Sequence, residues 1–62
     1  MREVYIKQVK KELLLPKKQK QIVLRDLEEM FASAKEHGES EQQVIERLGS
    51  PKEFVINTEE QF

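Results

Sequence analysis

One histidine, one tyrosine, three serines and no cysteine make up the nucleophiles and neutral-pH bases of this 62-residue chain. Hydrolytic or acid–base chemistry requires such groups to converge on one reacting centre. Two of the three serines are already committed to helix starts, as argued below, and His37 stands beside the helix-ending Gly38, where an imidazolium would complement the negative end of a helix. Carboxylates cluster at Asp26, Glu28 and Glu29, but adjacent positions on a helix point in different directions. No EF-hand loop, H-E-x-x-H, P-loop or G-x-G-x-x-G pattern occurs, and the lack of cysteine excludes a cysteine zinc site. The chain is therefore not expected to be an enzyme, and no catalytic, metal-binding or cofactor-binding residue is assigned.

Lysine offers more. Residues 1–25 hold eight Lys or Arg against two Glu, a net of +6, whereas residues 26–62 hold three bases against ten acids, a net of −7. Charge divided this way either recruits an anionic partner to the basic half or lets the two halves attract each other within the fold. The internal attraction is the plainer expectation. Lys7, Lys10 and Lys11, with Lys17, Lys18 and Lys20 beyond a turn, could follow the phosphates of nucleic acid or of anionic lipid. Base readout has little support, because arginines are few and no aromatic residue interleaves with the lysines. A helix-turn-helix reader would also carry its basic residues on the second helix of the pair, and the third helix here is rich in glutamate.

These side chains need helices to hold them. On a 100° projection of Glu3 to Leu14, Tyr5, Ile6, Val9 and Leu13 share one stripe opposite Lys7, Lys10 and Lys11. That helix must end before Pro16, which disfavours helical geometry ahead of it and suits the opening of the next helix. From Lys17 to His37 an apolar face of Val23, Leu24, Leu27, Met30, Phe31 and Ala34 marks a central helix, with Arg25 and Glu29 spaced to pair on its polar side. Gly38 closes it. Ser40 and Gln43 then fit a capping box, opening a helix that buries Val44, Ile45 and Leu48 and stops at Gly49. Ser50, Pro51 and Glu53 repeat the device for a short fourth helix presenting Phe54 and Val55.

The expected fold is all-α, a compact bundle of three helices plus a short fourth C-terminal helix, with one domain over residues 1–56 and a frayed tail over 57–62. Such a chain buries only about 60% of the surface that it exposes when unfolded, so its core is small. No apolar run exceeds three residues, far short of the roughly 20 that cross a bilayer. Val4, Leu14 and Ile22 lie off the main apolar stripes, among lysines, and the commoner outcome is that the small core covers them.

Tyr5, Leu15-Pro16, Asp26, Phe31, Gly38-x-Ser40-Glu41, Ile45 and Leu48-Gly49-Ser50-Pro51-Lys52 together resemble the HAAS domain, a small helical module of bacterial proteins. The resemblance runs from about residue 3 to residue 56, and its most specific piece is Gly-x-Ser-Glu followed by Leu-Gly-Ser-Pro. It implies a cytoplasmic N-terminal module, usually followed by transmembrane helices and often encoded beside a PadR-like transcriptional repressor, that acts in signalling or regulation by contact. The family brings no catalytic residues. Its repeated positions, Pro16, Gly38, Ser40, Gly49, Ser50 and Pro51, are the turns and caps already assigned to folding.

Two features depart from relatives: the basic segment KKQKQ after Pro16, where they tend to be acidic, and Leu27, at a place often aromatic. No membrane segment follows, which implies a free-standing copy or a piece of a longer membrane protein held at the inner face of the membrane. The leading expectation is a module that docks a protein partner through Lys7, Lys10, Lys11, Leu14, Lys17 and Lys18. Alternatives are electrostatic binding of an anionic membrane or nucleic acid, and a homodimer completed through Val4, Leu14 and Ile22.

Overall fold

Prolines and glycines stand at every boundary between helices. In the computed structural model, which describes residues 1–61, α1 spans Arg2–Glu12, α2 Lys17–Glu36, α3 Glu41–Leu48 and α4 Pro51–Glu60. No strand occurs among the described residues. The all-α expectation holds, with one difference of proportion: α4 has 10 residues and α3 has 8.

The α1–α2 turn follows from Pro16. Leu13 leaves the helix in extended geometry (φ −75°, ψ 119°) while its N–H still donates to the Val9 carbonyl. Pro16 itself occupies the N-cap, one position earlier than the opening residue expected, and its carbonyl accepts from Lys20 N–H at 2.9 Å. At the other end of α2, Gly38 turns at φ +79°. Glu39 N–H reaches the Ala34 carbonyl at 2.8 Å and Gly38 N–H reaches Lys35 at 3.1 Å, the pair of bonds that closes a helix through a left-handed residue.

Both serine caps form, by different geometries. Gln43 N–H donates to Ser40 Oγ at 3.1 Å and Ser40 N–H donates to Gln43 Oε1 at 2.7 Å, a complete capping box. At α4, Glu53 N–H donates to Ser50 Oγ at 3.2 Å, but the return bond runs from the Ser50 hydroxyl to Glu53 Oε1 instead of from the Ser50 backbone. Pro51 takes the first helical position. Between the two caps Gly49 adopts φ +86°, ψ −171°, a region open almost only to glycine. A Cβ there would also stand 3.1 Å from Glu53 Oε2.

With these turns in place, α1 packs on α2 and α4, and α3 packs on the same two helices. The core comprises Tyr5, Val9 and Leu13, then Val23, Leu27, Phe31 and Ala34, closed by Val44 and Val55. Tyr5 meets Phe31 and Phe54 edge-on, with ring centroids 6.0 and 6.4 Å apart, an arrangement that the aromatic quadrupole favours. Ile6, Leu24, Ile45, Leu48 and Phe54 line the core half-buried.

Several sequence expectations require correction. The tail does not fray at residue 57: α4 runs on to Glu60, because Thr58 and Glu59 are half-buried and Glu59 holds a backbone group of the α1–α2 connection. Val4, Leu14 and Ile22 are not covered by the core, being 67%, 85% and 45% exposed. Arg25 and Glu29 do not pair, and internal attraction between the halves does not take the form of lysine–carboxylate bridges. The ion pairs among the described residues are Arg47 with Glu39, and the terminal ammonium of Met1 with Glu41.

Candidate interaction site

The outer side of α1 begins with the residues that its apolar stripe leaves over. Tyr5 and Val9 are buried toward α2 and α4, so Lys7, Lys10 and Lys11 face solvent. Across the Pro16 turn Lys17 and Lys18 are exposed as well, and Lys20 is half-buried. None of these six lysines lies in an ion pair with a carboxylate of the described residues. Like charges at i and i+4, as at Lys7 and Lys11, disfavour the isolated helix by roughly 0.2–0.5 kcal/mol. Lys10 and Lys11, in the last turn of α1, in turn complement the negative end of the helix.

Leu14 belongs to the same surface. It is the most exposed large hydrophobic residue among those described, yet its backbone is tied down, with its N–H donating to Glu59 Oε2 at 2.7 Å. Leu13 beside it is core, so the connection is anchored on both counts while Leu14 projects. In the sequence Leu14 lies between the lysines of α1 and those at the start of α2. Of the residues expected to bind a partner, Lys7, Lys10, Lys11, Leu14, Lys17 and Lys18 are all exposed.

Acidic residues of the second half serve backbone groups instead. Glu41, in the first turn of α3, accepts from Arg2 N–H at 2.9 Å and lies 3.8 Å from the Met1 ammonium. It thereby caps α1, whose N-cap residue Met1 supplies no side-chain bond of its own, and places negative charge at the positive end of that helix. Sequence reasoning missed Glu41 and Glu59 in these roles, since a bond between residues 39 or 45 apart in sequence leaves no local pattern.

The reactive groups have structural partners. His37 Nδ1 lies 2.7 Å from the Ser33 carbonyl, which can only accept, so the protonated Nδ1 donates and secures the end of α2. The Tyr5 hydroxyl donates to the Gly49 carbonyl at 2.9 Å, joining α1 to the α3–α4 turn. Burial of Tyr5, and secondarily the Glu53 carboxylate, raise its phenol above the ordinary value of 10.0. No His, Asp or Glu group suited to holding a metal ion occurs among the described residues. An open, mostly apolar groove lies between α1, α3 and the start of α4, lined by Met1, Val4, Tyr5 and Ile45.

These features define a class: a small four-helix module whose conspicuous surface is a charged outer face bearing an apolar knob. The HAAS family model matches residues 5–55, and the chain belongs to the HAAS family. No significant match was found among curated proteins or solved structures. No helix among the described residues is long and apolar enough to cross a membrane.

Proposed function

We propose that this HAAS domain is a non-catalytic regulatory module that docks a protein partner through the outer face of α1 and the Pro16 connection. The observation that carries this reading is the exposed, backbone-anchored Leu14, flanked in sequence by lysines that have no carboxylate partner among the described residues. An apolar side chain held in water among positive charges suits a partner with a shallow apolar pocket rimmed by acids, since charge steers the encounter and the buried side chain slows release. The family resemblance makes a PadR-like repressor the first candidate and the cytoplasm the compartment.

Paired baits test it. The wild-type domain and a Lys7→Glu, Lys10→Glu, Lys11→Glu variant are presented to a PadR-like repressor at moderate salt, with Leu14→Ala as a second variant. Loss of binding in both variants, with helicity retained by circular dichroism, supports docking. Equal binding by all three sinks it. The same lysines also suit an anionic surface, and that reading predicts capture of anionic vesicles or nucleic acid that falls steeply with salt and ignores Leu14.

A further inference from the structure

The bundle leaves one whole side of α2 uncovered. Opposite its buried stripe of Val23, Leu27, Phe31 and Ala34, a helical projection places Lys18, Ile22, Arg25, Glu29, Ala32 and Glu36, and all six are exposed. Their spacing alternates four and three, the spacing of the seam between two helices that lie side by side.

The series is complementary to itself when reversed. Lys18 and Glu36, Ile22 and Ala32, and Arg25 and Glu29 are disposed symmetrically about Leu27. A second α2 laid antiparallel on this face therefore sets each lysine or arginine against a glutamate and each isoleucine against an alanine, in both directions. The isoleucine is 45% exposed and lines a shallow depression with Lys18, Gln21 and Arg25.

A second observation points the same way. Residues 17–25 of α2 carry four bases and no acid, while residues 26–36 carry four acids and one base, Lys35. This order opposes the helix macrodipole, which favours acids at the N-terminus and bases at the C-terminus. The first turn contains no acid and Pro16 provides no side-chain cap. Inside one chain that arrangement is unfavourable, and the available relief at Arg25 and Glu29, four apart, is not taken up. An antiparallel neighbour reverses the sign: each basic N-terminal half then lies along the acidic C-terminal half, and beside the negative end, of its partner.

We infer that the outward face of α2 is a homodimer interface, isologous and antiparallel, in which Arg25 of each copy faces Glu29 of the other. It shares only Lys18 with the surface around α1, and its decisive residues, Arg25 and Glu29, are not those tested above. A contact this rich in charge is weak and salt-sensitive.

Sedimentation equilibrium over a rising concentration series, at low and at high salt, tests it with the wild-type chain, Arg25→Glu and Glu29→Arg. The wild type is expected to dimerise at low salt and to dissociate as salt is added. Either single reversal sets like charges opposite twice per dimer and weakens association on the order of tenfold or more. An equimolar mixture of the two variants restores it, because every opposed pair is again of unlike sign. Both positions are exposed, so circular dichroism should show unchanged helicity. A wild type that stays monomeric throughout, a reversal that dimerises like the wild type, or a mixture no more associated than its components would each overturn the inference.

Discussion

Tyr5 concentrates more of the fold than any other single side chain. Its ring contacts Phe31 of α2 and Phe54 of α4, and its hydroxyl reaches the Gly49 carbonyl, so one residue of α1 joins α2, α4 and the turn between α3 and α4. The phenol is raised above 10.0, first by burial and then by Glu53. The folded chain therefore holds this proton more tightly than the unfolded chain does. Stability from Tyr5 is complete below pH 10.0 and is lost as the pH climbs through the raised folded value. Since this is the only tyrosine and there is no tryptophan, ultraviolet absorbance of the phenolate reports this site alone. A titration should show ionisation later than for free tyrosine. Tyr5→Phe should lower stability by about 1 kcal/mol at neutral pH, and the gap to wild type should narrow in the alkaline range. A phenol titrating at or below 10.0 would contradict the buried, hydrogen-bonded placement.

At the scale of helices, ends decide the architecture. α3 is only 8 residues long, well under the roughly 12–15 at which an isolated helix becomes even marginally stable. It persists because Ser40 and Gln43 satisfy its first donors and because Val44 is fully buried. Ser40→Ala should destabilise the domain by about 1 kcal/mol, measured by urea unfolding. Glu41→Gln should cost a few tenths of a kcal/mol up to about 1, through the positive end of α1 as well as through the first turn of α3, in which Glu41 stands. If hydrogen exchange in Glu41→Gln rose at the start of α3 and not at residues 2–5, the assignment of Glu41 to α1 would fail.

These ends also show what the chain made legible. Serine, proline and glycine act on their immediate neighbours, so all four helices and both serine caps could be read from local pattern. The extension of α4 could not, because Thr58 and Glu59 are held by contact with other parts of the fold and not by their own apolarity. The same reason hid the Glu41 cap and the exposure of Val4, Leu14 and Ile22: periodicity says which residues share a face, but not which neighbour arrives to cover it.

Over the whole molecule, the basic and acidic halves meet without lysine bridges. Glutamates of the second half close backbone donors at Arg2 and Leu14, or bind Arg47, while the six lysines of the first half remain free of carboxylates among the described residues. Charge that stabilised the fold would be costly to remove, whereas charge presented to a partner would not. Replacing Lys7, Lys10 and Lys11 together by glutamine should therefore leave the urea midpoint nearly unchanged, each substitution within about 0.5 kcal/mol. Two small effects oppose each other: the like-charged pair Lys7 and Lys11 is relieved, while Lys10 and Lys11 are lost from the last turn of α1, where cations complement the helix dipole. In a domain with nine buried core residues among those described and a total stability of order 5 kcal/mol, a loss of about 2 kcal/mol would be plain in such a measurement. That loss would mean that the lysines hold the acidic half in place at longer range, and the α1 face would then belong to the fold and not to a partner.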